Sequence, residues 1–169
     1  MERKNILLHR CEAMSLLTIK ASYHWNFIKQ LLSFPVIVIN SILCILNSFD
    51  DKTMSLKLPN VIINGLSVLI MSITTNLKSA EKTEIFKNTS NSFLLLTHEI
   101  EGIEDIDNEK INILQDKYDA IITTVPFEDI PKKIKLEIAN NFKNTGKALP
   151  IQINGNSIIN YELQGNLVV

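Results

Sequence analysis

QLLSFPVIVINSILCILNSF, residues 30–49, and LPNVIINGLSVLIMSITTNL, residues 58–77, are two runs of 20 residues without a single Asp, Glu, Lys, Arg or His. A helix rises about 1.5 Å per residue, so each run is long enough to cover the roughly 30 Å of a bilayer's hydrocarbon layer. All the charge between them is confined to the eight residues from Asp50 to Lys57. A connection that short joins antiparallel neighbours, and the pair reads as a transmembrane helical hairpin. The competing reading is two buried helices of a water-soluble bundle. Such helices keep a charged face for solvent, with charges every three or four residues, and neither run has one. A cleaved signal peptide fits poorly, because the first run follows a polar helical segment and ends in no small-residue cleavage site.

Outside these windows the composition is ordinary. The chain has 169 residues, 17 Lys+Arg against 18 Asp+Glu and 46% apolar residues, which excludes a long disordered protein. Near-neutral charge argues against a dedicated nucleic-acid binder. Two cysteines, Cys11 and Cys44, are too few for a disulfide scaffold or a zinc site. His9, His24 and His98 have no metal-ligand spacing, and the chain has neither a Gly-rich phosphate loop nor a G-x-S-x-G elbow. The expectation is a protein that is not an enzyme, with no catalytic residue, cofactor or metal.

Basic residues near the window ends set the expected orientation. Arg3, Lys4, Arg10, Lys20 and Lys29 precede the first window, and Lys78, Lys82 and Lys87 follow the second. The loop has only Lys52 and Lys57, balanced by Asp50 and Asp51. Both termini are therefore expected in the cytosol, which leaves the sequon Asn88-Thr89-Ser90 without glycan. Within the first window Ser33, Asn40, Cys44 and Asn47 share one helical face; Gly65, Ser72 and Asn76 do so in the second, with Asn64 nearby. These are candidates for helix–helix contact, within the hairpin or between copies in a homo-oligomer, or for the lining of a pore.

The flanks read as helices. Leu7, Met14, Ala21 and Ile28 fall seven apart, with Cys11, Trp25 and Leu32 four further on, and the stripe runs toward Pro35. Tyr23 and Trp25 suit the headgroup interface. After the second window, residues 78–102 form a helix with Phe86, Phe93, Leu94 and Ile100 on its apolar side. An acidic run follows, from Glu99 to Glu109, which lacks the turn glycine of a calcium loop. Residues 108–125 repeat Ile111, Leu114, Tyr118, Ile121 and Val125 at helical spacing up to Pro126. Asp129 is expected to cap a last helix bearing Ile134, Ile138 and Phe142, which Gly146 stops. Ile151 to Gly155 alternates and meets Asn-Gly, a hairpin signal, with residues 157–163 as the returning strand or else a flexible tail.

The fold class is thus an all-α membrane protein with a small cytosolic helical bundle and a short C-terminal β-hairpin or flexible tail. Its segments are an amphipathic helix (1–29), the hairpin (30–77), the cytosolic helices (78–146) and the tail (147–169). The partners expected are the lipid bilayer, further copies of the chain, and a protein docked on the cytosolic helices or tail. The layout YHWNFIKQLLSFPVIVIN, short loop, LPNVIINGLSVLIMSI, LKSAEKTEIFK and YDAIITTVPFEDIPKKI, over residues 20–142, resembles the SLATT group of two-span membrane proteins. The likeness rests on Pro35, Pro59, Ala80-Glu81-Lys82 and the ending with Tyr118, Pro126 and Pro131, and is nearest to versions encoded by large DNA viruses. It implies a pore-forming membrane effector answering to a sensor partner or, in a virus, a component of the virion's internal membrane or of a host membrane.

Overall fold

The computed structural model describes residues 2–48, 57–103 and 107–153, and all regular structure among them is helical. Five α-helices follow one another: α1 (Glu2–Ser48), α2 (Lys57–Leu77), α3 (Ser79–Glu101), α4 (Asn108–Ile122) and α5 (Lys132–Asn144). Short 3-10 turns occur at Phe127–Asp129 and Ile151–Ile153. Pro35 lies inside α1, which stays helical through it. The chain divides into two compact units, residues 1–22 with 84–169, and residues 23–83.

In the first unit a seven-residue repeat builds the core. Leu7, Cys11, Met14, Thr18 and Ala21 of α1 are buried, as are Phe86, Phe93 and Ile100 of α3, themselves seven apart. Leu114 and Tyr118 come from α4, and Ile138, Ala139 and Phe142 from α5. The Phe93 and Tyr118 rings pack at 5.6 Å between centroids. Leu94, expected on the apolar side of α3, is exposed, and Leu96 is buried instead. A step of one residue turns a helix by about 100°, so Leu94 leaves the stripe that Phe93 occupies. Burial pushes the Cys11 thiol up to about 12, so at neutral pH it is protonated and packs as a small hydrophobe.

Polar contacts tie these helices at defined points. Ser90 Oγ donates to the Ser15 carbonyl at 3.0 Å, and the two hydroxyls lie 3.2 Å apart, a close approach of α1 and α3 that small side chains permit. Lys20 pairs with Glu137, Lys147 with Glu12 at 2.7 Å, and Lys117 with Glu99. These pairs are partly exposed and each contributes about 0–1 kcal/mol. The Tyr118 hydroxyl is buried without a hydrogen-bond partner. A buried, unbonded hydroxyl keeps its desolvation cost, so Tyr118→Phe is expected to stabilise the chain by about 1 kcal/mol in urea denaturation.

Helix ends follow local chemistry. Asp107 caps α4, its Oδ1 accepting from the Lys110 amide at 2.7 Å. After α5, Gly146 adopts φ +67°, the Gly146 amide donates to Lys143 O and the Lys147 amide to Phe142 O, which satisfies the last carbonyls. Asp129, expected to cap α5, instead ends the 3-10 turn, and Pro131 occupies the cap position. Proline has no amide to orphan and a preset φ, which suits a helix start.

The C-terminal strand expectation is corrected. Ile151–Ile153 is a 3-10 turn closed by the Ile153 amide on Pro150 O, and it packs on α5. Ile153 is fully buried while Ile151 is 77% exposed, whereas residues two apart on a strand share a face. No strand occurs among the described residues. The Asn-Gly turn and residues 157–163 lie outside them, as do the loop residues 49–56 and residues 104–106 of the acidic run.

Candidate membrane-spanning surface

The second unit comprises α1 from Tyr23, all of α2 and the first turn of α3 up to Thr83. Both apolar windows lie in helices long and apolar enough to cross a membrane, and an 18-residue apolar stretch of each helix is only 6% buried. Core helices of a soluble bundle are mostly buried, and these are the reverse. Phe27, Leu31, Phe34, Ile37, Ile42 and Ile45 of α1 face outward, and Val61, Ile62, Leu66, Val68, Leu69 and Met71 do the same on α2. Neither window carries a charged side chain, so neither helix has the charged face by which a soluble amphipathic helix meets water.

The seam within this unit is narrow. Leu43 and Ser67 are buried there, and Ser33, Val36, Ile37, Met71, Thr74 and Thr75 line a crevice of about 240 Å³. Thr74 and Thr75 donate to the carbonyls of Ile70 and Met71, and Ser41 to that of Ile37, at 2.8–2.9 Å. Hydroxyls satisfied by their own helix carry little cost in an apolar surround. The break to α3 is made by one residue, Lys78, at φ 49°. The helix restarts with the Lys82 amide on Lys78 O. Lys82 Nζ then sits 4.3 Å from the Trp25 ring centroid, and His24 meets that ring edge-on. Residues 23–29 and 78–83, which carry this contact, fall in the same compact unit as the apolar helices. A tryptophan beside a lysine is chemistry suited to a headgroup boundary.

Of the candidate polar residues, only Ser33 reaches the crevice. Asn40 and Cys44 are exposed on α1, and Asn64, Gly65, Ser72 and Asn76 on α2. Asn47 is helical, but its side chain lies outside what is described. Apart from Ser33, none of these described residues lines the crevice. On α2 the buried Ser67 and the crevice-lining Thr74 form a stripe seven apart, roughly opposite the Gly65, Ser72 and Asn76 stripe on the helix wheel. Ser67 Oγ is buried without a hydrogen-bond partner. The signal that marks this seam is the repeat Asn60, Ser67, Thr74, which the sequence carries alongside the other one.

Among the described residues, no group of three or more His, Cys, Asp and Glu comes together as a metal site. No family model, curated protein or solved structure matches the chain.

Proposed function

We propose that this chain is a two-span integral membrane protein acting as an anchor or scaffold. In this reading α1 and α2 cross the bilayer as a hairpin, both termini lie in the cytosol, and the first unit with the tail holds a protein partner at the membrane. A non-enzymatic role in a virion's internal membrane or a host membrane follows the SLATT-like, viral layout of the sequence. The supporting observation is the apolar surface, since an 18-residue apolar stretch of each helix is only 6% buried and neither window bears a charge. Contiguous apolar surface on that scale drives association in water and is at no disadvantage in lipid. Carbonate extraction at alkaline pH tests this, with the chain expected to stay in the membrane pellet. Release as a monodisperse, detergent-free species removes the hairpin and the anchor together.

A second reading is an oligomeric, SLATT-like pore-forming effector, and the exposure of Asn40 and Asn64 favours it. An amide facing lipid lacks partners, whereas one facing another copy or a water-filled lumen has them. Asn40→Leu with Asn64→Leu is expected to leave membrane anchoring intact and abolish ion leak from liposomes. If the unaltered protein causes no leak at any protein density, the anchor reading stands alone.

A further inference from the structure

The first unit contains a crevice unrelated to the apolar windows. It has a volume of about 290 Å³ and lies between the start of α1 and α4. Arg3, Ile6 and Arg10 line it from one face of α1, at spacings of three and four; Ile111, Asn112 and Gln115 line it from α4. Two cationic side chains share the space, and among the described residues no carboxylate lines it. Among the described residues neither guanidinium forms an ion pair, although the unit's Lys20, Lys117 and Lys147 all do. Arg10 Nε is buried and has no hydrogen-bond acceptor. Gln115 is oriented by its Nε2 donating to Asp119 Oδ1 at 3.1 Å.

A buried guanidinium N–H without an acceptor is uncommon, because the desolvation cost is uncompensated. Two arginines present planar donor forks that match the oxygens of a phosphoryl group, and their summed charge matches its dianion. Ile6 and Ile111 offer apolar wall to whatever the phosphoryl group is attached to. We propose that this crevice binds a phosphomonoester, either the headgroup of a lipid phosphate or a free soluble one, with Arg3 and Arg10 holding the phosphoryl oxygens and Asn112 donating beside them.

The test is calorimetric titration of the full-length chain in non-ionic detergent with phenyl phosphate, and separately with dihexanoyl phosphatidate below its micellar concentration. Saturable binding is expected, weakened about tenfold or more by Arg10→Gln or Arg3→Gln. Lys133→Gln on α5 removes the same charge from an exposed residue outside the lining and is expected to change binding by less than about twofold, since an exposed charge is screened. Asn112→Leu puts an apolar side chain in the lining in place of the proposed donor without altering charge and is also expected to abolish binding, so the site stays testable should an arginine variant misfold. Tighter binding of the phosphatidate assigns a lipid headgroup, and equal or tighter binding of phenyl phosphate assigns a soluble ester. Absence of saturation with both probes overturns the site. So does binding that survives Asn112→Leu, or a loss as large in Lys133→Gln as in Arg10→Gln.

Discussion

In the proposed hairpin, Leu69→Arg should expel α2 from the membrane. Leu69 lies near the middle of the second window and is 62% exposed, directed away from the seam. An arginine at the centre of a spanning helix costs about 3 kcal/mol of insertion relative to leucine, a shift of about two orders of magnitude in the equilibrium. The second window is already diluted by Asn60, Asn64, Ser67, Ser72, Thr74, Thr75 and Asn76, so its margin is small. When it fails to insert, the chain downstream follows the loop across the bilayer. The sequon Asn88-Thr89-Ser90 then meets the glycosylation machinery in the lumen. Translation in microsomes should give an unglycosylated wild-type chain and a glycosylated Leu69→Arg chain, with Asn88→Gln abolishing the added mass. If the helices instead faced water, the same arginine at an exposed position would raise solubility and add no glycan. Glycan on wild-type Asn88 would invert the orientation.

Phe93→Ala should be the most damaging single change in the first unit. The side chain is fully buried on α3, against the Tyr118 ring of α4. Truncating a buried phenylalanine removes its transfer free energy and leaves a cavity, together about 3–5 kcal/mol. Marginal domains hold about 5–15 kcal/mol in total, so the loss consumes a large share. Leu95, two residues away on the same helix, is 70% exposed, and Leu95→Ala should stay within about 0.5 kcal/mol. Urea titration of the detergent-solubilised chain, followed by helical circular dichroism and by limited proteolysis of residues 84–153, separates the two variants. Equal effects would mean that the first unit is not packed around Phe93.

The tail and the cap of α5 show where local patterns mislead. Ile-Gln-Ile before Asn-Gly alternates as a strand does, and the signal is local. A strand needs a partner ladder, while Ile153 finds a place in the core beside α5 through a tight turn. Asp129 has the right chemistry for a cap, yet Pro131 stands nearer the first helical residue and starts α5 with no side-chain bond. By contrast Gly146 was legible, because a left-handed residue after a helical run is a need that glycine meets without strain. The Arg3 and Arg10 crevice had no sequence signal. Its two walls are about a hundred residues apart in the chain, and only packing brings them together.

By itself the sequence determined the two long apolar helices, because twenty uncharged residues in a row allow few other structures and a seven-residue repeat sets a helix face. It also determined most of the stripe that α1, α3 and α4 bury. It carried two seven-residue stripes on α2, Ser67 with Thr74 and Gly65 with Ser72, and had no means of ranking them. Tertiary structure decided that the first faces α1 and the second faces outward. Periodicity specifies which residues share a side of a helix, whereas the choice of side depends on the shape of the neighbour, which lies elsewhere in the chain.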